Sequence, residues 1–389
     1  MSTDFPLFGD DINRAESDSI KWKRYRGKDI LPMWVADMDF KVADPILAAI
    51  EDRVSHGVLG YGSDAPELRK AIVEHCVEHY GWHIEPSWIV FTPGVIKGLN
   101  IARAMAIKSG KTAGVTALPV YPHLMRQAPI LEFNNQFFPM TKEEGGWHFD
   151  IESLKAQITA DTGVLLLCNP HNPIGKVYSR HELTEIASVC EEYDLLICSD
   201  DVHCDLILND KQHTPIASLN DKVANRSITL MAPSKTFNVA GLDMAFAIIP
   251  NAELRQQYQA LMDGLVGHVN ILGMSAALAA FTQAESWRKR LIAYLRDNQT
   301  LIQEALGSLK GVSFIPSEAT YLAWIDVSEL KLEDPKGYFE TFGVGLSAGS
   351  EFGDDRYVRL NFGCQRPLLA QALVRMSQAV EARCEELGL

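Results

Sequence analysis

The chain has 389 residues, 47% of them hydrophobic, and a formal net charge of −14. That length suits two domains, and the acidic balance speaks against nucleic acid, whose phosphates need a basic face. No apolar run is long enough to span a bilayer, the acidic start MSTDFPLFGDD lacks the apolar stretch of a secretion signal, and seven scattered cysteines form neither a CxxC pair nor a disulfide framework. A reduced, cytoplasmic protein is expected.

Residues 1 to about 30 are polar, with Trp22 as an anchor. Met33-Trp34-Val35-Ala36-Asp37-Met38-Asp39-Phe40 follows. Its two acids among apolar neighbours suit either a segment buried beside a polar site or a surface strand whose acids face water. Asp44-Pro45 opens a helix as cap and first residue, with Ile46, Ile50 and Val54 on the apolar face and Gly57 at the end. Gly60-Tyr61-Gly62 is a turn that presents one aromatic. A second helix starts near Ser63 or Asp64, buries Leu68, Ile72 and Cys76, and stops at Gly81. His75 and His79 have the spacing of helical metal ligands. Cys76 stands where the zinc-protease motif needs glutamate, and no third ligand is in view, so no metal is expected.

Trp88 to Phe91 reads as a strand, which Thr92-Pro93-Gly94 turns into a helix from Val95 to Ile107. Free N–H groups at such a helix start favour a phosphate. Ser109-Gly110-Lys111-Thr112 imitates the tail of a P-loop, but Met105 occupies the first glycine position, and no GxGxxG follows a strand. Gly114 to Leu118 is a strand, and Tyr121 lies just past its C-terminal end, where open α/β sheets bind ligands. Asp150 caps a short helix. Strand Val164–Leu167 runs into Cys168-Asn169-Pro170-His171-Asn172-Pro173, a rigid turn, and a helix from Ser179 to Glu192 follows. Strand Leu195–Ser199 ends in Asp200-Asp201-Val202-His203-Cys204-Asp205. A carboxylate at the end of a buried strand is costly unless a cation or donors meet it; the alternative is that these acids face solvent.

The apolar run Ile228 to Met231 stops at Pro233, and Lys235 sits in the turn, with no other charge until Asp243. A lysine in a site that strips its water loses proton affinity, so its amine can attack a carbonyl. The plain alternative is a solvated loop lysine. The alternation of strands and helices from about 85 to 250 predicts a doubly wound α/β domain with a mixed, mostly parallel sheet. A long helix from about Ala284 to Leu309 follows. Strands at Tyr321–Ile325, Gly343–Ser347 and Tyr357–Phe362, then a helix from Pro367, predict a smaller α+β domain. We divide the chain into 1–45, packing on the small domain; 46–285, the large domain; and 286–389, the small domain.

Taken in order, these motifs resemble the fold-type I, pyridoxal-phosphate-dependent aminotransferases of class I/II, and most of all their MalY/PatB-type cystathionine β-lyase (C–S lyase) branch. The residues that carry the resemblance are Trp34 to Phe40, Gly60-Tyr61-Gly62, Thr92 to Val95, Asn169 to Pro173, Ser199 to Cys204, Ser234 to Asn238 and Val358 to Asn361. The resemblance implies that Lys235 carries the cofactor and moves the proton, that Asp200 pairs with the pyridine nitrogen, and that Tyr121 stacks on the ring. Asn172 and His203 are then expected at the ring oxygen. Gly94, Val95 and Ile96 would hold the phosphate, and Tyr61 would reach the phosphate of the second subunit in a homodimer. Arg359 would clamp the substrate carboxylate, with Ala36 and Asn172 also at the substrate. Many relatives place a serine three residues before the lysine and an arginine eight after it, both for phosphate. Here these are Ala232 and Asp243, so Ser234 or Thr236 is expected to contribute.

The implied activity is β-elimination from L-cystathionine or a related S-substituted cysteine, giving pyruvate, ammonia and a thiol. An aminotransferase with the same residues is the alternative. A further alternative is a regulatory or binding protein on this fold; the known sensors fuse it to a DNA-binding helix-turn-helix, for which the roughly thirty residues before Leu31 leave no room.

Overall fold

Residues 8, 12–127, 129–143 and 146–389 are described by the computed structural model. The expectation about the acidic N-terminus falls outside them, Phe8 apart. The central element is an eight-stranded sheet in the order β2-β9-β8-β7-β6-β3-β4-β5. Its strands are β2 (Ile89–Thr92), β3 (Ala113–Leu118), β4 (Asn134–Glu143), β5 (Gly146–Phe149), β6 (Thr162–Cys168), β7 (Leu196–Asp200), β8 (Ser227–Met231) and β9 (Ala245–Ile248). Every residue of β6 is buried. Such an unbroken apolar run belongs to a parallel strand covered on both faces. Strands β4, β3, β6, β7 and β8 are parallel, and β9 is antiparallel to both β8 and β2. The C-terminal ends of β2, β3, β6, β7 and β8 therefore share one edge, where the site lies.

Four helices that bear on the sheet and the site are α1 (Asp44–Ser55), α2 (Pro66–Tyr80), α3 (Val95–Lys108) and α4 (Arg180–Glu192). Two starts differ from the sequence reading. Ala43 occupies the cap of α1, which moves Asp44 into the first turn, and α2 begins at Pro66, two residues late, because proline's fixed φ suits a first helical position. Val54 is exposed rather than packed. Gly81 ends α2 in the left-handed region at φ 62°, and Ser179 and Glu182 close a capping box at the start of α4. Leu99, Ile101, Ala102 and Met105 press α3 onto one face of the sheet, while Leu183, Ile186 and Cys190 press α4 onto the other.

The C-terminal part is built on a four-stranded antiparallel sheet, β10 (Ser313–Phe314), β11 (Leu322–Asp326), β14 (Tyr357–Asn361) and β13 (Ser347–Ala348). Helices α5 (Glu285–Leu306) and α6 (Arg366–Leu387) cover it with Leu291, Leu295, Ile302, Leu369, Leu373 and Met376. The long helix stops three residues before the predicted Leu309. Near the N-terminus, β1 (Leu31–Pro32) pairs in parallel with β12 (Val344–Gly345).

Asp39 anchors this early segment. The carboxylate is buried and receives Lys21 Nζ at 2.6 Å, Arg14 at 2.5 Å and Trp22 Nε1 at 2.9 Å. Burial alone would raise its pKa, but the two cations and the indole hold it below the usual carboxylate range. Of the two readings of residues 33–40, the buried one applies. Trp22 works through its N–H within this charge cluster.

Candidate active site

Five strand ends supply the floor of one cavity. Lys235 follows β8, Asp200 ends β7, Asn172 follows β6, Tyr121 follows β3, and Gly94, Val95 and Ile96 open α3 after β2. His203, Ser234 and Ala36 also line it. Thr236 does not: it is fully buried, and its hydroxyl finds no partner. Of the two hydroxyls considered for phosphate, the cavity contains only that of Ser234. Tyr61 is fully exposed, outside this chain's own cavity.

Lys235 Nζ donates to the carbonyl of Ala36 at 2.7 Å. Desolvation, with Arg359 adding repulsion, lowers its pKa to about 8, against the pull of Asp37 and Asp200. Lys235 is half-buried and lines the cavity, unlike the solvated loop lysine of the alternative reading. Asp200 is buried, and its carboxylate accepts the Val202 N–H at 3.2 Å. Burial, with Asp201 adding repulsion, raises its pKa to about 7. A buried carboxylate in this condition is suited to a cationic partner delivered from the cavity. Burial pushes His203 well below its usual value, so its imidazole is neutral, and Nδ1 has no partner.

Arg359, on β14, reaches over from the small sheet. It is buried, and burial lowers its pKa to about 10. Its partners are neutral: Asn172 Oδ1 at 3.1 Å, the Trp34 carbonyl at 3.0 Å and Ser347 Oγ at 3.3 Å, with Phe352 beneath the guanidinium at 4.3 Å. A buried guanidinium held by neutral acceptors keeps its charge for an incoming carboxylate.

Residues 34–40 form the roof segment, which brings Ala36 to the cavity. Asn238, at φ 58°, donates to the carbonyls of Met38 and Phe40, both at 2.9 Å, and accepts the Met38 N–H at 3.0 Å. Asn361 donates to the carbonyls of Val35 and Asp37, and Tyr321 to that of Ala36. Behind Asp200, Asp201 accepts from Ser199 Oγ and meets His213 Nε2 at 2.7 Å, all fully buried. Sequence reasoning missed the roles of Asn238, Asn361, Tyr321 and His213. Asn361 lay within a quoted motif, as did Asn238, but nothing in the sequence pointed to the backbone carbonyls they serve.

His75 meets Asp205 at 2.9 Å, and Tyr80 donates to the same carboxylate. Among the described residues no cluster could hold a metal. Cys204 is buried, and its thiol is pushed up by burial, the condition of an unreactive cysteine.

At the end of an α/β sheet, one cavity thus brings together an amine, a buried acid and the start of a helix. Residues 29–376 match the family described as aminotransferase class I and II, and the chain belongs to that family. It is 33% identical over 382 residues to the cystathionine β-lyase PatB of Bacillus subtilis, covering 94% of this chain and 98% of that one. Among solved structures it resembles OvoB, with a TM-score of 0.92 and 43% identity over 95% of this chain and 97% of the other. It also resembles a PLP-bound C–S lyase from Staphylococcus hominis, with a TM-score of 0.90 and 27% identity over 96% and 97% of the two chains.

Proposed function

We propose that the protein is a pyridoxal-5′-phosphate-dependent carbon–sulfur β-lyase that cleaves L-cystathionine or a related S-substituted cysteine to pyruvate, ammonia and a thiol. The observation that carries this reading is the meeting, in one cavity, of the Lys235 amine and the buried Asp200 carboxylate. The two relatives named as cystathionine β-lyase and C–S lyase support it.

The residues fit the cofactor. The buried carboxylate of Asp200 would hold its pyridine nitrogen, and His203 and Asn172 have polar atoms for its ring oxygen. Tyr121 offers a ring face. The N–H groups of Gly94, Val95 and Ile96, with Ser234, receive the phosphate. When bound, the cofactor withdraws electrons from the substrate's α-carbon. Lys235 would hold the cofactor through its amine and would take the proton from the substrate's α-carbon. Arg359 clamps the substrate carboxylate, with Asn172 and the Ala36 backbone beside it. The clamp fixes the molecule so that the Cβ–S bond can align for departure, and sulfur leaves readily as a thiolate.

The chain acts as a homodimer in this reading, with Tyr61 completing the partner's phosphate site. Val58, Leu59 and Tyr61 are 63%, 59% and 102% exposed, an apolar cluster suited to a second copy. The domain division at 45 and 285 and a cytoplasmic location belong to the same proposal. No helix among the described residues is long and apolar enough to cross a membrane.

The test offers a panel of S-substituted cysteines, L-cystathionine first, to the cofactor-loaded protein, with and without keto acids. Repeated release of thiol and pyruvate in equal amounts, independent of keto acid, is expected. Amine transfer that requires a keto acid, with no thiol released, would make the protein an aminotransferase.

A further inference from the structure

The helix mouth raises a charge question. A phosphate monoester near neutral pH approaches two negative charges, and helix N–H groups supply only about half a positive one. Two lysines line the cavity: Lys97, in the first turn of α3, and Lys235, whose amine is committed to the Ala36 carbonyl at 2.7 Å. Lys97 pairs with Asp243 at 3.3 Å. Both head groups hang over Gly94: a Cβ placed there would lie 3.3 Å from Asp243 Oδ1 and 3.5 Å from Lys97 Nζ. Gly94 itself sits at φ 97°, so the chain approaches the mouth in a conformation that side-chain-bearing residues avoid.

The pair has little value as a stabilising bridge, because its side chains are 39% and 65% exposed. Asp243 takes its place from the left-handed region, at φ 47°, which a non-glycine residue adopts at some cost. The carboxylate also lines the cavity, where an anion by itself would repel a phosphate.

We propose that Lys97 is the cation of the cofactor's phosphate site and that Asp243 is its resting counterion, which gives Lys97 up when phosphate enters. This inference rests on the cofactor reading above. Lys97 stands on the first turn of α3, so its ammonium can pivot from Asp243 to a phosphate seated on the Gly94–Ile96 amides without movement of the backbone. Asp243 keeps the lysine over the mouth. With phosphate bound, its charge opposes the ligand and weakens the hold. The chain thus binds phosphate with less net positive charge than a lone cation would provide.

The experiment titrates cofactor-free protein with pyridoxal phosphate and, separately, with pyridoxal, which lacks the phosphate. Binding is followed by absorbance and equilibrium dialysis. Lys97→Gln is expected to weaken pyridoxal phosphate about tenfold or more and to leave pyridoxal unchanged, while Lys97→Arg keeps most of the affinity. Asp243→Asn, which tolerates the same backbone conformation, is expected to tighten pyridoxal phosphate a few-fold without altering pyridoxal. The proposal is overturned if Lys97→Gln binds pyridoxal phosphate like the wild type, or loses both ligands equally. It is also overturned if Asp243→Asn weakens the phosphorylated ligand. Failure of the wild-type protein to bind either ligand would instead remove the cofactor reading itself.

Discussion

The floor and the roof of the cavity are made in different ways. The floor comes from the ends of β2, β3, β6, β7 and β8, five strands of one sheet covered on both faces by largely apolar clusters. The roof is stitched from residues 34–40, Asn238, Tyr321 and Arg359, which side-chain amides, a phenol and a guanidinium tie together through backbone carbonyls, beside the apolar packing of Met38, Phe40 and Tyr321. A floor set by strand order places groups rigidly, as proton transfer and cofactor chemistry require. A roof built from hydrogen bonds to carbonyls can exchange a partner for a substrate carboxylate. Chemistry belongs to the first and recognition to the second.

Substitutions separate the two. The largest effect is expected from Lys235→Ala, which removes both attachment and proton transfer from the floor. Turnover of L-cystathionine should fall by about 10⁴-fold or more, read by a pyruvate assay, with the fold retained by circular dichroism.

Next is Asp200→Asn, tested on cofactor-free protein. The unfolded carboxyl releases its proton near the ordinary value, whereas the folded one holds it up to about 7. The native state therefore binds more protons between about 4 and 7, and wild-type stability falls as pH rises through that window. Asparagine removes this penalty. The variant should be more stable than wild type by about 3–5 kcal/mol at pH 8, with the difference vanishing near pH 3. Urea unfolding at the two pH values gives the answer; equal gains at both would contradict the assigned cause.

On the roof, Arg359→Lys keeps the charge and loses the fork. A fall in kcat/KM of about 2–3 kcal/mol is expected, with KM carrying a large part. A loss confined to kcat would place Arg359 in the chemistry instead. The smallest effect should come from Asn238→Ala, which frees two carbonyls and an N–H of the roof and gives up an asparagine suited to φ 58°. A loss of about 1–3 kcal/mol in stability is expected, with cofactor absorbance intact.

The same division explains what the sequence disclosed. Lys235, Asp200 and Asn172 were legible because each follows a buried apolar run and stands out chemically against it. Asp39 was ambiguous, since a sequence does not show that Lys21 and Arg14 come to meet it. Asn238 and Tyr321 act on main-chain carbonyls, which every residue carries, so no side-chain pattern marks their targets. His213 reaches Asp201 from twelve residues along the chain, beyond any local period. Helix starts shifted by a residue or two where proline and a neighbouring polar residue competed for the first turn, as at Asp44 and Pro66.

The most direct test of the account is to fix the cofactor to its lysine by borohydride reduction and to locate the adduct by peptide mass spectrometry. The adduct is expected on the peptide that contains Lys235, and to disappear in Lys235→Ala. An adduct on Lys97 or elsewhere, with Lys235 unmodified, would contradict the assignment of the floor.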